Sequence, residues 1–225
     1  MNTIIFTSIL LQLFLGLIFI IMGFTESDPD PLQDYCISSS QNSQHDFFFN
    51  GAPCINPSQA MASHFATSAL SKPGNTQNQF GFNATLTNLV NLPGLNTLGL
   101  AMARVDIGPD GLVPPHSHPR ASELTILLKG SLRVGFIDTS NRLFIAEIKS
   151  GDCFVFPKGL IHYLYNTDKD NTAVVIAGLS SQNPGVQMPS ATAATIATKP
   201  ELLIEVSKKI FWTNVEEIRK NILGG

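Results

Sequence analysis

The sequence predicts an all-β chain, an antiparallel sandwich or barrel built as one domain. Two observations carry this. Short apolar runs recur at 123–128, 132–137, 143–148, 153–157, 161–165 and 173–179, and they are rich in Val, Ile, Leu, Phe and Tyr. Turn signals separate them: Pro109-Asp110-Gly111, Lys129-Gly130, Thr139-Ser140-Asn141, Ser150-Gly151, Lys158-Gly159, the polar run 168–171, and Asn183-Pro184-Gly185. Strands at that rhythm close a sandwich or barrel rather than alternate with helices. At 225 residues the chain is long enough for one sizeable core.

From the N-terminus, residues 1–25 carry no charged side chain and 4–24 are almost wholly apolar. The run is long enough to span a bilayer. Its position before the polar ESDPDP predicts a cleaved signal peptide over 1–26. The absence of Lys or Arg ahead of it keeps an uncleaved anchor as the alternative. Residues 27–79, rich in Ser, Asn, Gln and Pro, read as an irregular arm, with a short helix or loop near 60–69. Cys36 and Cys54 flank a polar stretch, and an oxidising compartment would let them pair. A closed loop of that length contributes on the order of 3 kcal/mol in the chain-entropy model. Cys153, inside the apolar CFVFP, is expected to be a buried, inert thiol. Asn83-Ala84-Thr85 is a glycosylation sequon, which predicts a surface loop bearing a glycan.

Strands are expected over 80–89 and 99–107. In the second, Ala101, Ala103, Val105 and Ile107 share one face, and Leu100, Met102 and Arg104 the other. Both faces are mainly apolar, as in a strand buried between layers. The barrel is placed at 80–189. Beyond it, 190–225 reads as helical. Pro200 suits a first turn, and Leu202, Leu203, Val206 and Ile210 form an apolar stripe. Thr213 to Glu216 is a capping box for a second helix bearing Val215, Ile218 and Ile222. These helices would pack on their own barrel or dock on a neighbour. Net charge is −3, and no basic face offers itself to nucleic acid. No phosphate loop, CxxC pair or nucleophile triad is present.

The chemistry-bearing stretch is 111–130, GLVPPHSHPRASELTILLKG. His116 and His118, at i and i+2, share a strand face about 6–7 Å apart at the backbone, close enough for both imidazoles to reach one ion. Glu123 lies at odd spacing from His118, so an unbroken strand would turn it away. Pro119 supplies a break. His162, after the turn Pro157-Lys158-Gly159, is a fourth ligand candidate. Three of the chain's five histidines thus fall in two segments of the same kind, each with turn glycines and apolar strand residues.

Both segments resemble the two cupin boxes. The first reads His-x-His, four residues, Glu, six residues, Gly. The second reads Gly, five residues, Pro-x-Gly, two residues, His, three residues, Asn. Within the cupins the chain is similar to plant germins and germin-like proteins. DPDPLQDYC at 28–36, NTLGLAMARVDIGP at 96–109, PPHSHPRASE at 114–123, FPKGLIH at 156–162 and SQNPG at 181–185 carry the likeness.

The resemblance implies a single jelly-roll barrel, an arm tied by Cys36–Cys54, and a mature chain beginning near Asp28 in the cell wall or apoplast. It implies one manganese ion per chain on His116, His118, Glu123 and His162. By ligand type alone, copper or zinc would bind more tightly than manganese. It also implies a hexamer, three pairs of subunits clasped by the C-terminal helices, with no membrane contact once the leader is removed. Cycling between Mn(II) and Mn(III) would support superoxide dismutation, with a small anion or oxygen species as ligand. Oxalate-oxidising germins carry two cavity asparagines at the positions of Ala103 and Val113. Both are apolar here, so oxalate oxidation is not expected. Asp110 stands where a glycine is common in the first box. The alternative is a secreted, non-enzymatic metal-binding oligomer with a structural or receptor-like role.

Overall fold

The computed structural model describes residues 33–39 and 51–188, together with residue 12. The expected helices at 190–225 lie outside them, as does the leader, residue 12 aside. Nine strands are described. They are β1 (Phe82–Leu86), β2 (Ala101–Ile107), β3 (Leu112–His116), β4 (Glu123–Lys129), β5 (Ser131–Ile137), β6 (Leu143–Lys149), β7 (Cys153–Phe156), β8 (Ile161–Tyr165) and β9 (Ala173–Leu179). They form a five-stranded sheet in the order β1-β2-β9-β4-β7 and a four-stranded sheet in the order β3-β8-β5-β6. Every pairing is antiparallel. The all-β expectation holds. Where a short helix or loop was expected near 60–69, two 3₁₀ turns occur, Pro57–Gln59 and Ala62–Phe65.

The strand alternation sorts side chains into inner and outer rows. On the five-stranded sheet the register aligns Ala101, Leu179, Glu123 and Phe156 in one inner row, and Leu86, Ala103, Ala177, Thr125 and Phe154 in the next. On the four-stranded sheet His116, His162, Phe136 and Phe144 share one row, and Val113, Leu164, Val134 and Ala146 another. The main core joins the two sheets through Phe80, Phe82, Val105, Ile107, Val113, Leu127, Leu132, Val134, Phe156, Leu164 and Val175. Burial of each such side chain contributes about 1.5–3 kcal/mol.

Loop residues lock the far end. The buried Asn166 amide donates to the carbonyls of Ile107, Gly108 and Asn171 at 2.8–3.0 Å. Asp110 takes the left-handed conformation, φ 53°, which a glycine would adopt freely. Its carboxylate accepts from the Tyr165 hydroxyl and its N–H donates to the Asp168 carbonyl. The loop keeps a glycine-like shape without the glycine.

Cys36 and Cys54 are disulfide-bonded. The buried Asn96 anchors the arm they tie, accepting from Ala52 N–H at 2.9 Å and donating to Ala52 carbonyl at 2.7 Å.

Three expectations need correcting. Cys153 is free and exposed. Along β7 it is Phe154 and Phe156 that turn inward, so Cys153 and Val155 face out. The outer face of β2 is not buried between layers. Met102 is 45 % exposed there, and Arg104 pairs with Asp106 at 2.9 Å. Asn83 lies in β1 rather than in a surface loop, half-buried against Gly74, where an added Cβ would collide with it.

Denatured without reductant, the protein should titrate one thiol per chain, from Cys153. A count of none or three, read with a chromogenic disulfide, would contradict this bonding pattern.

Candidate metal centre

His116 closes β3, and its strand partner across the ladder is His162 on β8. Both rings therefore leave the same inner row of the four-stranded sheet. Glu123 opens β4 in the facing five-stranded sheet. The chain crosses from one sheet to the other between residues 116 and 123, and His118 sits in that crossing. The expected break at Pro119 is thus a change of sheet, which turns Glu123 back toward the histidines.

All four side chains are buried, and one ligand atom from each lies within 4.8 Å of the others. The ring centroids are 4.2 Å apart for His116–His162, 5.1 Å for His116–His118 and 5.3 Å for His118–His162. Glu123 Oε2 stands 3.1 Å from His118 Nε2 and 3.4 Å from His162 Nε2. Phe156 stacks on His162 at 4.4 Å and 22°.

Each imidazole is oriented from behind by a backbone carbonyl. His116 Nδ1 lies 2.8 Å from Pro114 O, His162 Nδ1 2.9 Å from Leu160 O, and His118 Nδ1 2.6 Å from Gly185 O. A carbonyl only accepts, so each Nδ1 carries the proton and a neutral ring offers its Nε2 lone pair to the centre. His162 Nε2 is buried with no hydrogen-bond partner. A donor set of three lone pairs and one carboxylate, with one buried nitrogen left orphaned, fits a divalent cation.

Electrostatics follow the geometry. Burial, reinforced by the neighbouring His162 and His118, pushes the His116 pKa well below its ordinary 6.5. For His118, burial opposes charge, but the Glu123 carboxylate outweighs it and the pKa rises. Burial would likewise raise Glu123, yet contact with His118 and His162 holds it far below the usual carboxylate range.

All four ligand candidates meet at one point. Ala103 and Val113 are not among these four. They occupy the next inner rows, Ala103 with Ala101, Ala121, Ala177 and Leu179, and Val113 in the main core. Asn83, Cys36 and Cys54 lie elsewhere. Sequence reasoning missed the three carbonyls and the Phe156 ring. The SQNPG stretch that supplies Gly185 was legible only as a family marker.

Comparison with known proteins agrees with this architecture. The cupin family model matches residues 68–219. The chain is 53 % identical over 209 residues to germin-like protein subfamily 1 member 1 of Arabidopsis thaliana, covering 91 % of this chain and 95 % of that one. It is 49 % identical over 205 residues to germin-like protein 3-1 of Oryza sativa subsp. japonica, covering 88 % and 90 %. Among solved structures it is similar to an oxalate oxidase, with TM-score 0.67, 33 % identity and coverage of 83 % and 100 %. It is also similar to Peruvianin-I, a cysteine peptidase from Thevetia peruviana latex, with TM-score 0.67, 36 % identity and coverage of 72 % and 98 %.

Chelator-treated protein should show opposed titrations. His116 is held neutral in the fold but protonates in the unfolded chain, so stability falls as pH drops below 6.5. His118 keeps its proton above 6.5 in the fold, so its contribution fades as pH rises through its raised pKa. The limiting slope is about 1.4 kcal/mol per pH unit for one proton. Denaturation midpoints should therefore fall on acidification below 6.5, and His116→Gln should flatten that limb. An unchanged limb would refute the His116 assignment.

Proposed function

The chain belongs to the cupin family, among its germin-like members, and we propose on that premise that it is a secreted manganese protein of the plant cell wall with superoxide dismutase activity. The observation that carries the metal reading is the convergence of three oriented Nε2 lone pairs and the Glu123 carboxylate within 4.8 Å. The donor set admits several divalent ions; manganese comes from the family resemblance. The disulfide supports an oxidising, extracellular setting. Among the described residues no helix is long and apolar enough to cross a membrane.

His116, His118, Glu123 and His162 would hold the ion, and a redox-active ion there supplies one-electron chemistry toward oxygen species. The protein's own contribution is orientation and exclusion. The carbonyls of Pro114, Leu160 and Gly185 keep the Nδ1 protons in place. Glu123 offsets one positive charge. Ala101, Ala103, Ala121, Ala177 and Leu179 line the adjoining interior and offer no side-chain donor. Oxalate, a dianion, needs donors as well as a cation. Losing two hydrogen bonds to a charged group costs a factor on the order of a hundred to ten thousand in binding. Peptidase chemistry has no support, because Cys153 points out of the barrel while the clustered histidines point in.

Assembly belongs to the same proposal. Met102, Gly178, Leu124 and Val155 form one row across the outer face of the five-stranded sheet. Leu124 is 57 % and Val155 53 % exposed. An apolar stripe of that kind suits a second copy of the chain, with 190–225 as the clasp of a hexamer.

Secreted protein should carry about one manganese per chain and turn over superoxide but not oxalate. His118→Ala should lose both metal and turnover with assembly intact. Full manganese occupancy without turnover would favour the structural, non-enzymatic reading. Peroxide release from oxalate would overturn the cavity argument, and Ala103→Asn with Val113→Asn is the gain-of-function control.

Truncation after Pro200 should yield species smaller than a hexamer. A truncated chain still hexameric by light scattering would refute the clasp.

A further inference from the structure

The three imidazoles are not held alike. His116 and His162 each donate to a carbonyl two residues back in the chain, Pro114 O within β3 and Leu160 O just before β8, so their partners are local. His118 lies beyond the end of β3, and its acceptor, Gly185 O, comes from a segment 67 residues away. Apart from Glu123 at its Nε2, the partner described for that ring comes from outside the crossing loop. Its orientation depends on where residues 183–187 are placed.

That segment is fastened along the crossing loop at several points. Ser117 and Gln187 exchange both backbone hydrogen bonds at 2.9 Å. Arg120 N–H donates to Pro184 O at 3.2 Å. The Arg120 side chain adds a fork: Nε donates to Asn183 O at 2.6 Å and Nη2 to Asn183 Oδ1 at 2.9 Å. The guanidinium also lies over Gly185. A Cβ there would meet Nη2 at 2.8 Å, Cζ at 3.1 Å and Nη1 at 3.2 Å, and Gly185 has φ 69°. Two constraints, the left-handed backbone and the guanidinium in its present place, thus favour glycine at 185.

We propose that Arg120 and Asn183 are positioning residues for the metal centre, clamping the 183–185 turn so that the Gly185 carbonyl holds His118 with its Nε2 toward the ion. This rests on the metal reading above. Arg120 reaches no ligand itself and acts through Asn183 and Gly185. A planar fork making two directed bonds is what fixes a turn rather than merely attracting it. A hydrogen-bonding partner behind a histidine ligand typically affects metal affinity by about 10- to 100-fold when removed.

The test uses full-length protein and Zn(II), a diamagnetic probe of the site. Affinity is read by chelator competition and imidazole tautomers by long-range ¹H–¹⁵N spectra. Wild type should bind Zn(II) with three Nδ1–H imidazoles. Arg120→Ala and Asn183→Ala should each lose about 10- to 100-fold in affinity, with the Nδ1–H resonance of His118 alone displaced. Asn183→Ala keeps the backbone carbonyl and decides the matter if Arg120→Ala does not fold. Folded variants with wild-type affinity would overturn the proposal. Weakened affinity with all three resonances unmoved would overturn it too, since that marks a merely structural role. Wild type that binds no Zn(II) would instead sink the metal reading, and the proposal with it.

Discussion

Three imidazole lone pairs and a carboxylate do not share a dry pocket unless positive charge lies between them. Burying an ion costs several kcal/mol even after relaxation, and only close compensation offsets it. Here Glu123 is buried in the last inner row of one sheet and faces His116 and His162 in the last inner row of the other. The Glu123 carboxylate raises the proton affinity of His118, which it contacts, while burial lowers that of His116. A divalent ion held by the four side chains would supply that compensation in place of a proton. The barrel is the frame that brings two end rows together, and the segments outside it brace that meeting.

Much of this was legible in the sequence because it follows from period-two alternation and turn chemistry. The runs at 123–128, 132–137 and 173–179 became strands where the turn glycines said they must end. The ligand set was legible because His and Glu are rare in apolar strands. Two of the errors, at Cys153 and on β2, have one cause. Alternation tells which residues share a face, not which face is inside. Phe154 and Phe156, bulkier than Cys153 and Val155, took the interior and left the thiol outside. On β2 the apolar look of Leu100 and Met102 concealed an outer face organised by the Arg104–Asp106 pair, which also accepts from Gly74 N–H. At Asn83 the sequon describes a local chemical pattern and carries no information about strand pairing with Asp106.

Backbone carbonyls were illegible for a different reason. Every residue has one, so no composition marks the three that orient the histidines. For His116 and His162 the acceptor lies only two residues back in the chain. For His118 it does not, because the Ser117–Gln187 bridge that brings Gly185 into reach is a long-range pairing outside any regular strand. What the sequence did contain was a glycine next to a proline in a polar turn. The advantage of glycine there becomes visible in its left-handed backbone and in Arg120 lying over it.

The interior beside the site argues about ligands through what it lacks. The row that holds Glu123 continues into Ala101 and Leu179, and the next row adds Ala103 and Ala177. Thr125, the polar member of that second row, donates its hydroxyl to the Phe154 carbonyl instead of turning it inward. On the proposed function, a ligand reaching this interior would meet methyl groups, one stacked aromatic ring, and the charge of the centre itself. Selection would then fall on size and charge, because among the described residues these walls supply no directed bonds with which to recognise hydroxyls or a second carboxylate. Small singly charged species would lose little there. Larger polar ones would leave behind water hydrogen bonds that nothing replaces.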